Sequence, residues 1–300
     1  MRIPPHYLDA VGVLEIGEMG DEGMTFRPVA TGTLLGYASP DQTDVSEDRT
    51  RRVVFLVTNK HVIDDQDELY IRFNQGSGSK RFRIAVKRED GSELFQTSDR
   101  FDVAVTGIQQ QALREAGAEF ASIPEEALLD LEGLESKGIV GGDTVFTLGF
   151  PMGLAGDEKK YAIVRGGVLA RMDREIVNTT GSFLIDCPVF PGNSGGPVVL
   201  PTEIHTLGQE EPRTRVHVIG IVSGYLPWED MAISQQTRRP RITFEENSGL
   251  ATVVPLDAVN ELVTSMFEEA KPDGGQPETT ENEAVIPAGE DRENTVSPAD

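Results

Sequence analysis

One segment of the chain carries the composition of a nucleophile. Phe190-Pro191-Gly192-Asn193-Ser194-Gly195-Gly196-Pro197, followed by the apolar run VVL, sets a single serine among glycines. A serine hydroxyl attacks poorly on its own. It needs a base to take its proton and donors to hold the charge that develops on the attacked carbonyl oxygen. Glycines let the backbone turn tightly enough to aim several N–H groups into one small space. Gly192 and Ser194 are the expected donors of such an oxyanion hole. A glycine-rich turn between strands would have a similar composition, so the assignment depends on finding a base and its partner.

The base should be a histidine near neutral pKa. The candidates are His6, His61, His205 and His217. His6 lies in a polar N-terminal arm and His205 among loop residues, both expected to be solvated. His217 sits inside a strand pattern, where packing is the simpler role. His61 follows VVFLVTNK, at the end of an apolar strand pattern. A strand end is a rigid place from which to present a side chain. The base in turn needs a carboxylate to fix its tautomer and stabilise the imidazolium. Asp102 opens the run DVAV, between His61 and Ser194 in the chain, and is the candidate.

These groups must be positioned by the elements around them. Six β-like runs precede residue 109: VGVLEI (11–16), VATGTLLGY (29–37), VVFLVT (53–58), ELYIRFN (68–74), RFRIAVK (81–87) and DVAVTGI (102–108). Six more follow residue 140: DTVFTLGF (143–150), YAIVRGGVLA (161–170), SFLID (182–186), GPVVL (196–200), RVHVIGIVSGY (215–225) and LATVVP (250–255). The stretch 109–139 between them has helical composition, and LDAVNELVTSMFEEA (256–270) has apolar residues at helical spacing. The pattern predicts an all-β fold of two packed six-stranded antiparallel barrels with a closing C-terminal helix. The expected division is a first barrel at about 10–108, a linker at about 109–140, a second barrel at about 141–255, the helix 256–270 and, from 271 to 300, a disordered acidic tail. Residues 41–52 and about 226–249 read as long exposed hairpin loops.

With these residues in hand, the chain resembles the chymotrypsin-like serine proteases, and more closely the bacterial HtrA-like branch. The resemblance rests on TGTLL (31–35), VTNKHVI (57–63), FDVAV (101–105), GDTVFTLGFPMG (142–153), VRGGVLA (164–170), LIDCPVFPGNSGGPVV (184–199), GIVSG (220–224) and GLATVVP (249–255). It spans nearly all of residues 10–270. It implies a serine endopeptidase with His61 and Asp102 from the first barrel and Ser194 from the second. It also implies that Ser223 helps hold Asp102 and that Ser223, Gly224 and Tyr225 pair with the substrate backbone.

The departures from the family pattern carry information too. Members activated by cleavage pair a new N-terminal amine with an aspartate just before the serine; here that residue is the neutral Asn193. HtrA-like relatives continue into a PDZ domain where this chain has its acidic tail. The position that is acidic in trypsin-type members is Pro188, which gives a cation no counter-charge and predicts a preference for uncharged residues before the cut. Glu229 or Asp230, in the stretch 226–249, would reverse that preference on entering the pocket. Tyr225, standing where deep-pocket members often have glycine, predicts a shallow pocket. The lone Cys187 reads as a small buried hydrophobe.

Composition excludes some alternatives. With 27 Lys and Arg against 50 Asp and Glu, the net charge is −23. That argues against nucleic-acid partners and anionic membrane surfaces, which need a basic patch. No stretch of about 18 apolar residues is present. A lone cysteine and the absence of an apolar leader stretch near the start point to a soluble cytoplasmic protein. No Cys and His cluster has ligand spacing, so neither metal nor organic cofactor is expected. The expected partner is a protein or peptide substrate, with a regulatory partner through the tail or loops as a further role. The competing reading from another class is a catalytically silent double barrel used as a binding module. A nucleophile-elbow esterase would need alternating strands and helices and the order Ser, Asp, His, neither of which is seen.

Overall fold

Apolar alternation and the turn residues between runs account for most of the strands of the computed structural model. It describes residues 3–21, 23–40, 52–88, 90–204, 213–270 and 285–287. The first half contains β1 (Val11–Gly20), β2 (Gly23–Ala38), β3 (Arg52–Thr58), β4 (Glu68–Gln75), β5 (Gly78–Ala85), β6 (Gln96–Thr97) and β7 (Ala104–Gly107). The short parallel β8 (Ile123–Pro124) leans on β2. The second half contains β9 (Thr144–Gly149), β10 (Ile163–Arg171), β11 (Phe183–Asp186), β12 (Pro197–Ile204), β13 (Arg213–Ile233) and β14 (Pro240–Pro255). Helices α1 (Pro5–Asp9), α2 (Lys60–Ile63), α3 (Gln110–Glu115), α4 (Leu131–Ser136), α5 (Arg174–Thr180) and α6 (Leu256–Glu269) punctuate them.

The second half is a closed barrel in the order β10-β11-β14-β13-β12-β9. The first half pairs in the order β5-β4-β1-β2-β3-β7-β6, which leaves β5 and β6 as the ends of its path. These two ends are linked through one connecting segment. Val86 N–H donates to Asp67 O and Leu94 N–H to Val86 O, and the Thr106 hydroxyl reaches Leu94 O. The first barrel is thus closed by irregular backbone where a regular sixth pairing was expected. Its interior is filled by Leu14, Leu34, Leu56, Ile71, Phe73 and Phe82, all buried. Each such side chain contributes about 1.5–3 kcal/mol by leaving water. Gly32 makes room at one crossing, where a Cβ would lie 2.6 Å from the Leu56 Cδ1 and would push that side chain aside. Helix α6 closes the second core with Leu256, Val259, Leu262 and Val263.

Two expectations are corrected. The stretch 226–249 is an exposed hairpin, but paired strands and not loop make up most of it. Strands β13 and β14 run on past the barrel as a two-stranded ribbon, from Pro227 paired with Asn247 out to Ile233 paired with Pro240. Both of its faces meet solvent, so its residues show no inward apolar alternation, and sequence periodicity hides the strands. The acidic tail also contributes a strand: β15 (Val285–Pro287) pairs antiparallel with β5, Val285 opposite Ile84. The open edge of β5 offers backbone groups that an apolar tripeptide can satisfy. The rest of the tail, and residues 41–51 of the first expected loop, lie outside the described residues.

Candidate active site

The two halves share an apolar core, and along β2 they also meet through polar contacts with the serine loop. The Thr31 N–H donates to Ser194 O at 2.8 Å, the Thr31 hydroxyl to Gly192 O at 2.7 Å, and the Thr33 hydroxyl to Gly195 O at 2.7 Å. Thr58, on β3, donates its hydroxyl to Thr31 O. All three threonines are fully buried. Leaving a buried polar group unpaired costs about 1–3 kcal/mol, so these bonds fix the serine loop in register against the first barrel. The threonines were missed in the sequence, although their hydroxyls interrupt otherwise apolar strand runs.

The loop itself is shaped by glycine. Gly192 and Gly195 adopt φ of +99° and +83°. A Cβ on Gly195 would lie 2.0 Å from Thr31 O and 2.5 Å from the Thr58 hydroxyl. We expect Gly195→Ala to destabilise the protein by at least about 2 kcal/mol, from strain and clash together. Denaturant unfolding checks this; an unchanged midpoint would contradict the loop geometry.

The same loop aims two donors. The Pro191 carbonyl accepts from Met152 N–H at 2.6 Å, and the Asn193 carbonyl from Gly196 N–H at 2.9 Å. In a planar trans peptide the N–H points opposite to the carbonyl. Gly192 N–H and Ser194 N–H therefore point away from those partners, and neither has an acceptor among the described residues. Asn193 is 1 % exposed, and its Oδ1 accepts from Phe190 N–H. The turn is held by a neutral amide.

His61 lies in the single turn of α2, after the strand end of β3. Its backbone N–H donates to Asp102 Oδ1 at 3.0 Å, and its Nδ1 lies 2.7 Å from Asp102 Oδ2. An ionised carboxylate only accepts, so Nδ1 carries the proton and Nε2 is left as a base. Asn59, at the start of α2, donates to the Asp102 backbone carbonyl at 2.7 Å. Ser223 donates its hydroxyl to Asp102 Oδ2 at 2.6 Å. A bulge between Val222 and Gly224 breaks the β13–β14 register at this residue, a device that re-aims a side chain. Ser194 Oγ donates to Ser223 O at 3.1 Å, and among the described residues no hydrogen bond joins it to His61.

His61, Gly192, Ser194, Ser223, Gly224 and Tyr225 all line one cleft of about 430 Å³. Pro188 does not: it is exposed, while Cys187 and Val189 on either side are buried. The alternation after β11 turns it outward, and Val189 supplies the wall instead. Glu229 and Asp230 are also absent from the lining, but Glu245, opposite Glu229 on the ribbon, is part of it. Cys187 is buried, and desolvation raises its thiol pKa. His217 is buried in β13 and desolvation lowers its pKa; His6 is exposed, and His205 lies outside the described residues.

Burial alone would raise the Asp102 pKa, but the hydrogen bonds from His61 and Ser223 outweigh it and hold the carboxyl below its ordinary value. The hydrogen bond to Asp102 raises the His61 pKa above its ordinary 6.5, against an opposing desolvation. A base must be neutral to work. We therefore expect kcat/KM to fall as pH drops through a midpoint above 6.5, and Asp102→Asn to move that midpoint down. A pH–rate profile checks both, and a midpoint unmoved in the variant would contradict the pairing. The stability linkage has the matching sign. A raised folded-state pKa stabilises below the unfolded value, and this is lost as pH rises through the folded one. The effect is small because the ring is half exposed.

Comparison with known proteins gives a match of residues 31–207, more than half of the chain, to the trypsin-like peptidase domain family. No curated protein matches. Among solved structures, the MamO protease domain from Magnetospirillum magneticum, in its apo form, is similar at 15 % identity and a TM-score of 0.45, covering 85 % of this chain and 96 % of that one.

Proposed function

The chain belongs to the trypsin-like peptidase domain family, and from that premise we propose that it is a serine endopeptidase with Ser194 as nucleophile, His61 as base and Asp102 as its orienting carboxylate. One observation carries the reading. The Asp102 carboxylate accepts from the His61 N–H, the His61 ring and the Ser223 hydroxyl together, beside the cleft that Ser194 lines. A scaffold has no physical need to collect these groups, which weighs against a silent binding module.

In this reading the Ser194 hydroxyl turns toward His61 and adds to the scissile carbonyl as Nε2 takes its proton. Gly192 N–H and Ser194 N–H hold the oxyanion. The tetrahedral intermediate collapses, His61 gives its proton to the leaving amine, and the acyl-enzyme forms. Water, deprotonated by His61, then attacks the acyl carbon; His61 returns the proton to Ser194 Oγ as the acid product leaves. Gly224 and Tyr225 lie past the last β12 pairing of β13, at Ile221, and in this reading they pair with substrate backbone as a β-strand. Because Asn193 already orders its turn without an ion pair, no freed N-terminal amine is needed.

The test is mass-spectrometric profiling of a peptide library, using full-length protein with its N-terminus verified intact. The expected outcome is internal cleavage by the wild type and none by Ser194→Ala. Activity that appeared only after N-terminal trimming would contradict the role given to Asn193.

A further inference from the structure

The negative charge missing at Pro188 is supplied to the cleft from another element. We propose that Glu245 is the specificity residue, selecting substrates with arginine or lysine just before the scissile bond. This rests on the endopeptidase reading and reverses the preference expected from Pro188.

Glu245 reaches the cleft because the root of the ribbon is pinned there. Asn247 Nδ2 donates to Val189 O at 2.6 Å, tying β14 to the wall that leads into the serine loop. The Ser248 hydroxyl donates to Leu226 O across the ribbon. Residues two apart on a strand share a face, so Glu245 stands on the same face as Asn247. The Tyr225 hydroxyl then donates to Glu245 Oε1 at 2.9 Å. One oxygen is thereby oriented, and a carboxylate retains further acceptor sites after one such bond.

Charge decides what the site prefers. Among the described residues, Glu245 brings the one negative charge to a cleft otherwise lined by His61, apolar side chains and neutral polar groups. Its cross-strand neighbour is Glu229. Like charges directly opposite one another destabilise a ribbon, and among the described residues neither carboxylate is ion-paired. A cation entering from the cleft pairs with Glu245 and so offsets that repulsion. Arg165 stacks 5.1 Å from the Phe190 ring centroid but does not line the cleft. The net charge of −23 adds long-range attraction for basic substrates.

The experiment compares acetyl-Ala-Ala-Pro-Arg and acetyl-Ala-Ala-Pro-citrulline coumarylamides, which differ in charge but hardly in shape. Wild-type kcat/KM is expected to favour arginine by about tenfold, with the ratio collapsing in Glu245→Gln and inverting in Glu245→Lys. Equal rates for the two substrates, or a ratio indifferent to Glu245→Gln, would overturn the proposal. A second measurement is independent of turnover. Titration of the Ser194→Ala protein with acetyl-Ala-Ala-Pro-Arg-Ala-Ala-amide and its citrulline counterpart should show the same preference, removed by adding Glu245→Gln. Should the wild type hydrolyse neither substrate while this Glu245-dependent binding persists, the endopeptidase reading fails and the cation site stands. Should binding show no charge preference, the cation site fails whatever the hydrolysis shows.

Discussion

Ser194→Ala is expected to lower peptide hydrolysis by roughly five to six orders of magnitude while leaving the fold intact. The loss is large because nucleophile and base act as a unit, so removing one disables the other. What remains is the rate supported by the Gly192 and Ser194 N–H donors acting on water attack. The fold should survive because the loop is held by its backbone and by Thr31, Thr33 and Thr58, not by the Ser194 hydroxyl. Among the described residues that hydroxyl makes one bond, to the Ser223 carbonyl. Its loss costs about 1 kcal/mol at most, since a carbonyl lining an open cleft can turn to water. Hydrolysis rates and thermal melts, measured on the same preparation, check the two halves together. Hydrolysis within tenfold of wild type would mean that another group is the nucleophile.

Asp102→Asn should lower kcat by about four orders of magnitude with little change in substrate binding. Oδ2 of Asp102 accepts from both the His61 ring and the Ser223 hydroxyl. An amide offers one accepting oxygen and one donating NH2 in place of two accepting oxygens. With oxygen toward His61 N–H, the NH2 faces Nδ1 and drives the proton to Nε2, where it blocks the base. The variant also removes the hydrogen bond that raises the His61 pKa, so the loss should be accompanied by a shift of the acid limb to lower pH. A loss in kcat with no shift in that limb would point to a structural role for Asp102 in holding α2, where it accepts the His61 N–H.

The parts of this site legible in the sequence are those with strong local chemistry. Ser194 announces itself through its glycines, and His61 through its place at the end of an apolar strand. Asp102 is readable from its position at the head of DVAV, although in the structure it precedes the strand, which begins at Ala104. What stayed hidden depended on contacts distant in the chain. Thr31 and Gly192 are 161 residues apart, and only the packed barrels bring them to 2.7 Å. Pro188 was misplaced by counting back from the serine, because counting does not reveal which way alternate residues face. Glu245 could not be found at all while 226–249 read as a loop. A solvated ribbon has no buried face to impress a period on its sequence, so the strands that carry Glu245 to the cleft leave no apolar signal. The strand Val285–Pro287 was likewise masked by the polar composition around it.

Activation of Ser194 by His61 and Asp102 is open to direct chemical test with a fluorophosphonate probe. Such a probe reacts with a serine made nucleophilic by its surroundings and spares ordinary hydroxyls. The full-length protein, incubated with the probe, should gain one adduct, mapped by peptide mass spectrometry to Ser194. Labelling should fall steeply in Asp102→Asn and vanish in Ser194→Ala. No adduct on folded wild-type protein, or an adduct on Ser194 that forms equally fast without the Asp102 carboxylate, would mean that Ser194 is not activated in this way.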